Sequence, residues 1–200
     1  MRIIGGQFRG TRLAAPGAQG GGAAQLRPTS DRVRESLFNV LTHGEYPPIE
    51  GVRVLDLFAG TGALGFEALS RGAARAVFID DGPAARGLIR QNIDTLGVIG
   101  RTKLWRRDAT QLGPCRGDAF GLVFADPPYG RDLGGAALLS AHHGGWIAPG
   151  AIAVLEQGIA DPEPDLAFLR PVDDRRYGEA RILIYIADAL SDLGDTSTPS

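Results

Sequence analysis

Asp56-Leu57-Phe58-Ala59-Gly60-Thr61-Gly62-Ala63-Leu64-Gly65 decides how the rest of the chain is read. The apolar run Val52 to Phe58 has the composition of a buried strand, and the pattern from Ala63 to Arg71 is helical. Between them, Gly60 to Gly65 matches the glycine pattern of a nucleotide-type cofactor loop, and Asp80 follows Gly60 by 20 residues. Glycines let the backbone approach a ligand closely, because no Cβ intervenes. An acidic residue at the end of the second strand can accept hydrogen bonds from both ribose hydroxyls.

Working outward, strands and helices alternate as in a doubly wound α/β sheet. Arg75 to Asp80, Thr102 to Arg107, Phe120 to Asp126 and Ala151 to Glu156 read as strands, and Pro83 to Leu96 and Leu133 to His143 as helices. Gly97 is well placed as a helix C-cap. Leu166 to Val172 and Arg181 to Ile186 read as a closing hairpin with its turn around Asp173 to Gly178. Upstream, Thr29 or Ser30 can cap a helix running to Thr42, with Val33, Leu37, Val40 and Leu41 on one face. Arg2-Ile3-Ile4, Gln7-Phe8-Arg9 and Thr11-Arg12-Leu13 read as short strands broken by glycines. The expected divisions are a basic N-terminal arm over 1–28 with a flexible Gly/Ala-rich loop, a catalytic domain over 29–187, and a disordered tail over 188–200.

Asp56 narrows the ligand. It sits where a dinucleotide fold usually has an apolar residue, and its carboxylate would repel a pyrophosphate. A cationic amino-acid moiety with an ammonium and a sulfonium would be attracted instead, which favours S-adenosylmethionine over a nicotinamide dinucleotide. Asp108, after the third strand, could accept a hydrogen bond from an adenine amino group. All three carboxylates stand at strand C-termini, where an open α/β sheet binds its ligand.

Asp126-Pro127-Pro128-Tyr129 supplies the chemistry. Two prolines fix φ and donate no N–H, leaving a stiff loop with carbonyl oxygens to offer. An exocyclic amine on an aromatic base attacks poorly, because its lone pair is delocalised into the ring. Asp126 and the Pro127 carbonyl can accept its two N–H bonds and turn the lone pair outward, and charge developing on nitrogen is stabilised in a preorganised site. Tyr129 can stack on the base. The reading is methyl transfer to a base amine.

Composition bounds the setting. Two hundred residues with 44% hydrophobic content suit one globular domain. No apolar run reaches the length of a membrane span and no signal-peptide segment is visible, so a cytoplasmic protein with no membrane partner is expected. The single Cys115 and three histidines offer no metal cluster, and no metal is expected; His142-His143 reads as a solvated helix end. Residues 1–34 hold six arginines against one aspartate, a net of +5, leaving −7 for the remainder. A basic arm on an acidic body suits phosphate contact, through Arg2, Arg9, Arg12, Arg32 and Arg34.

Arg2-Ile3-Ile4-Gly5-Gly6, the block Arg27 to Asn39, Asp56 to Gly65, Asp126 to Tyr129 and Tyr177 to Arg181 together resemble the RsmD-type 16S rRNA (guanine-N2)-methyltransferases. The resemblance runs from Arg2 to about Ile186. It implies a seven-stranded, Rossmann-like class I methyltransferase fold with its last strand antiparallel, preceded by an N-terminal β-hairpin arm. It implies N2 methylation of one guanine in 16S rRNA, within the small subunit or its assembly intermediate, with S-adenosylhomocysteine as the product. Carried over, Asp126, Pro127, Pro128 and Tyr129 are catalytic. Asp56, Phe58, Gly60, Gly62, Asp80, Asp108 and Thr29 hold the cofactor, and Arg27 meets either its carboxylate or RNA. A monomer is expected, since so large an acceptor needs one exposed face. Two departures stand out: Asp80 where the family commonly has Glu, and Ala125 where it has a branched apolar residue. The same motifs leave open a DNA adenine-N6 or cytosine-N4 methyltransferase, and a non-catalytic ribosome assembly factor.

Overall fold

The computed structural model describes residues 1–17 and 30–188. Most of the expected Gly/Ala-rich loop, Arg27, Thr29 and the tail from 189 lie outside the described residues. The elements are α1 (Asp31–His43), β1 (Arg53–Leu57), α2 (Ala63–Ser70), β2 (Arg75–Ile79), α3 (Pro83–Leu96), β3 (Thr102–Trp105), β4 (Phe120–Ala125), α4 (Leu133–His143), β5 (Ile147–Gly158), β6 (Leu169–Tyr177) and β7 (Ala180–Ala187). Single 3₁₀ turns occur at Ile99–Arg101 and Ala109–Gln111. The sheet order is β3-β2-β1-β4-β5-β7-β6. β7 is antiparallel to both its neighbours and the other pairings are parallel.

Apolar layers cover both faces of this sheet, which is why its central strands are almost continuously hydrophobic. On one face Phe38, Leu41, Phe66, Ile89 and Ile93 from α1 to α3 pack with Phe78, Phe124 and Ile184. On the other, Ala137, Leu138 and Trp146 pack with Leu55, Val123 and Leu155. No helix among the described residues is long and apolar enough to cross a membrane.

The N-terminal arm is docked onto this body. Its ladder is short: Arg2 and Arg12 form one isolated antiparallel bridge, and Gln7-Phe8-Arg9 is a turn rather than a strand. Positive φ at Gly6 and Gly10 brackets that turn and prevents an extended middle segment. Glu67, fully buried on α2, accepts the Ile4 and Gly5 N–H groups, both at 2.8 Å, and pairs with Arg71 Nε at 2.9 Å. Ser70 Oγ accepts from the Phe8 N–H and donates to the Gly5 carbonyl. Ile3 and Leu13 join the core. Glu67→Gln puts an amide where three donors converge, and it should lower stability by about 2 kcal/mol, measured by urea denaturation.

Three local readings need correction. The buried face of α1 is Arg34-Leu37-Phe38-Leu41, with Val33 and Val40 only half-buried at its flanks. β5 begins at Ile147, because Pro149 and Gly150 lie within a register shift against β4 and do not end the strand. β6 continues to Tyr177, and the hairpin turn is Gly178-Glu179. The charged run Asp173 to Arg176 can remain a strand because β6 is an edge strand, half solvated and laced by Arg181 to Asp174 at 2.9 Å and Arg175 to Asp173 at 2.9 Å.

Candidate active site

The C-terminal ends of β1, β2, β4 and β5 open on one cavity of about 1030 Å³. The glycine loop and Asp80 form one wall, Asp126 to Tyr129 another, and Tyr177 and Glu179 of the β6–β7 turn a third. Ser30 and Val33, at the start of α1, complete the rim. Ser36 and Tyr177 share a hydrogen bond of 2.6 Å that ties α1 to that turn.

Asp56 is almost wholly buried, and its Oδ2 accepts the Gly65 N–H at 2.9 Å. It thereby serves the first turn of α2, whose N-cap Gly62 has no side chain to do so. Burial pushes this carboxyl up to about 8 from its ordinary 3.8, opposed by the Gly65 hydrogen bond and aided by the Asp80 charge. Asp80 uses both oxygens: Oδ2 accepts from Gly60 N at 2.9 Å and Oδ1 from Gly82 N at 2.8 Å. Its pKa is raised, chiefly by burial. The carboxylate that would face a ribose is therefore aimed by the glycine loop itself.

Gly62 and Gly65 have a second reason to be glycine. Gly62 has φ +78°, and a Cβ there would lie 2.5 Å from the Phe66 ring. A Cβ on Gly65 would lie 2.5 Å from the Phe78 ring and 3.0 Å from Asp56 Oδ2. Phe66 and Phe78 pack with ring centroids 4.6 Å apart. The motif thus serves helix-to-strand packing. Phe58 adopts φ +56° without being glycine. Such a conformation costs about 1–2 kcal/mol, and it turns the chain sharply from β1 into the loop. Asp108 is exposed at the cavity rim, where its Oδ1 caps the short turn after β3 through Thr110 N at 2.8 Å and Thr110 Oγ1 at 2.7 Å.

The Asp126–Tyr129 loop is braced from both sides. Asp126 N donates to the Leu57 carbonyl at 3.4 Å, joining it to β1. Pro127 is buried and Pro128 exposed. The Tyr129 hydroxyl donates to Glu156 Oε1 at 2.7 Å. Asp161 receives the Gly130 N–H at 3.2 Å and the Gly158 N–H at 2.9 Å. Glu156 and Asp161 were not singled out in the sequence. Glu156 carries the same signal as Asp56, an acidic residue near the C-terminal end of a buried apolar strand.

The basic residues divide. Arg2, Arg9, Arg12 and Arg32 are exposed, with Arg2 Nε 3.7 Å from Asp31. Arg34 is fully buried, donating to the Arg2 carbonyl at 2.8 Å and pairing with Asp31 at 2.5 Å. Its expected role as an RNA contact is corrected: it lies on the apolar face of α1, out of reach of a phosphate, and holds the arm to α1. His142 is also no solvated end, since its ring stacks on Phe168 at 3.9 Å. Thr29 and Arg27 lie outside the described residues.

Comparison with known proteins agrees with this geometry. A family model described as "Conserved hypothetical protein 95" matches residues 1–186. The Escherichia coli (strain K12) protein named "Ribosomal RNA small subunit methyltransferase D" is 39% identical over 164 residues, covering 82% of this chain and 78% of that protein. This chain belongs to the methyltransferase D family. A Haemophilus influenzae protein of the same name is 36% identical over 163 residues, covering 78% of both chains. A solved Escherichia coli structure, described as "Putative methyltransferase yhhF", superposes with a TM-score of 0.78 at 35% identity, covering 94% of this chain and 98% of that one. The seven-stranded sheet with its antiparallel β7 is the class I methyltransferase fold. In this family member the glycine loop, the strand-end carboxylates and the Asp-Pro-Pro-Tyr loop all border one cavity.

Proposed function

We propose that this protein transfers a methyl group from S-adenosylmethionine to the exocyclic N2 amine of one guanine in 16S rRNA of the small ribosomal subunit. The observation that carries this reading is the meeting of the Asp126–Tyr129 loop with the glycine loop and Asp80 across one cavity. Family membership and the relatives' shared name support the rRNA acceptor.

The cavity suits the cofactor on its own geometry. It has a glycine loop whose Gly60 N–H orients Asp80, a buried Asp56 deeper in, and Asp108 at the rim. In the proposed complex Asp80 accepts from the ribose hydroxyls, Asp108 from the adenine amine, and Asp56 faces the ammonium, with Phe58, Gly60 and Gly62 lining the ligand. S-adenosylmethionine, when bound, supplies a methyl carbon activated by positive sulfur, which departs as a neutral thioether. Asp126 and the Pro127 carbonyl accept the two N–H bonds of the target amine and direct its lone pair. Asp126 also takes the proton that the alkylated nitrogen sheds. Tyr129 stacks on the base, its hydroxyl being held by Glu156. Orientation contributes by making a bimolecular encounter effectively unimolecular. Arg2, Arg9, Arg12 and Arg32 contact RNA phosphates, so binding weakens steeply with salt.

The test uses tritiated S-adenosylmethionine, the purified protein, and small subunits from a strain lacking this gene. Label on 16S rRNA that digests to N2-methylguanosine is the expected result. Label instead on duplex DNA, as N6-methyladenine or N4-methylcytosine, would retain the amine chemistry and overturn the acceptor.

A further inference from the structure

We infer that Glu156 reads the N1–H of the target guanine and thereby selects guanine over the other amine-bearing bases. This deepens the function proposed above and rests on Asp126 and Pro127 holding the N2 amine.

β4 and β5 run side by side in parallel, with Phe124 opposite Val154 and Ala125 opposite Leu155. One step further along each chain stand Asp126 and Glu156. Neighbouring strands lie about 4.8 Å apart, so Asp126, just past the end of β4, stands beside Glu156, which stays in β5 and pairs with Ile182 of β7. Both line the same cavity. Glu156 is 8% exposed and belongs to an interior strand, bonded by β4 on one side and β7 on the other. Its Oε1 is fixed by the Tyr129 hydroxyl at 2.7 Å. A carboxylate offers about four acceptor positions, so it can hold that hydroxyl and a base N–H together.

The bases differ in what lies beside their exocyclic amine. In guanine the N2 amine neighbours N1–H, a second donor. In adenine the N6 amine neighbours N1, an acceptor, and in cytosine the N4 amine neighbours N3, also an acceptor. A carboxylate beside the amine-holding residue attracts the guanine edge. It meets the lone pairs of adenine or cytosine with its own. Two adjacent acceptor groups, Asp126 and Glu156, therefore match guanine alone. Discrimination of this kind is steep, because the wrong base leaves a buried polar group unpaired.

The probe is 2-aminopurine, which keeps the 2-amine but carries N1 as an acceptor. Small subunits are reconstituted on 16S rRNA ligated to hold either guanine or 2-aminopurine at the nucleotide that takes label. The wild-type protein should prefer guanine by on the order of 10²-fold or more in kcat/KM. Glu156→Gln keeps an oxygen for the Tyr129 hydroxyl and offers an amide donor to a ring nitrogen. It should lose activity on guanine and bring the preference below about tenfold, with cofactor binding unchanged. Tyr129→Phe cuts the tie but leaves the carboxylate, so the preference should persist. Its collapse in Tyr129→Phe would show that Glu156 acts only through Tyr129 and would overturn the inference. Equal methylation of both RNAs by the wild-type protein would overturn it too, while leaving the proposed function intact. Failure of the wild-type protein to methylate guanine at all would instead remove the proposed function.

Discussion

Asp126→Ala is expected to reduce methyl transfer by about 10³-fold or more, with S-adenosylmethionine affinity nearly unchanged. In the proposed mechanism the carboxylate accepts from the amine, stabilises charge developing on nitrogen and takes the departing proton, so its loss would fall on the chemical step. The proposed cofactor contacts are at other residues lining the cavity, Asp80 and the glycine loop. The backbone brace from Asp126 N to the Leu57 carbonyl does not depend on the side chain. Single-turnover rates on small subunits, set beside calorimetric cofactor binding, separate the two effects. Activity within tenfold of wild type would sink the proposed mechanism. Loss of cofactor binding in parallel would assign Asp126 to the cofactor instead of the base.

Cofactor binding should also expel a proton. With its pKa raised to about 8 by burial, Asp56 is a neutral acid at pH 7 in the ligand-free protein. A bound ammonium beside it favours the carboxylate. Affinity should therefore rise close to tenfold per pH unit from about pH 5.5 to about pH 7.5 and level off near pH 8. Calorimetry in buffers of different ionisation enthalpy should count nearly one proton released per cofactor at pH 6.5, and almost none in Asp56→Asn. No release in the wild type would mean that Asp56 stays protonated and donates to its ligand. Stability moves the other way. A carboxyl whose folded pKa exceeds its unfolded value gives the native state extra protons between about pH 4 and pH 8. The ligand-free protein should lose stability as pH rises through that window, by up to about 1.4 kcal/mol per unit, and Asp56→Asn should flatten the slope. Asp80, also raised by burial, contributes with the same sign.

Much of this architecture was written locally. Pro83 at the first turn and Gly97 in the left-handed conformation bound α3 at the residues the sequence indicates. The strand–glycine loop–helix unit around Asp56 needed only its own residues to be recognised. What escaped depended on partners distant in sequence. Arg34 carries a charge, which hides its place in the 34-37-38-41 stripe; in the fold its Nη2 meets Asp31 and the distant Arg2 carbonyl, while its Nε and Nη1 are buried without a hydrogen-bond partner among the described residues. The Asp173 to Arg176 run reads as a turn until β7 supplies Arg181 against Asp174. Glu156 gains its meaning from the register of β4 against β5, which no single segment contains. The pairing of Tyr129 with Glu156 spans 27 residues and was invisible for the same reason.

The order of the sheet has a bearing on synthesis. β7 follows β6 along the chain, yet it lies between β5 and β6 in space. Ile182, Leu183, Ile184 and Tyr185 are buried there, and β6 pairs with β7 alone. A nascent chain that has emerged only as far as residue 180 has β5, and Glu156 with it, facing water along an open edge, and has no place to set β6. The sheet closes only when β7 arrives. Until nearly all of the described chain had been translated, the cavity wall that carries Glu156 would thus be unfinished, so that the proposed activity would wait on β7.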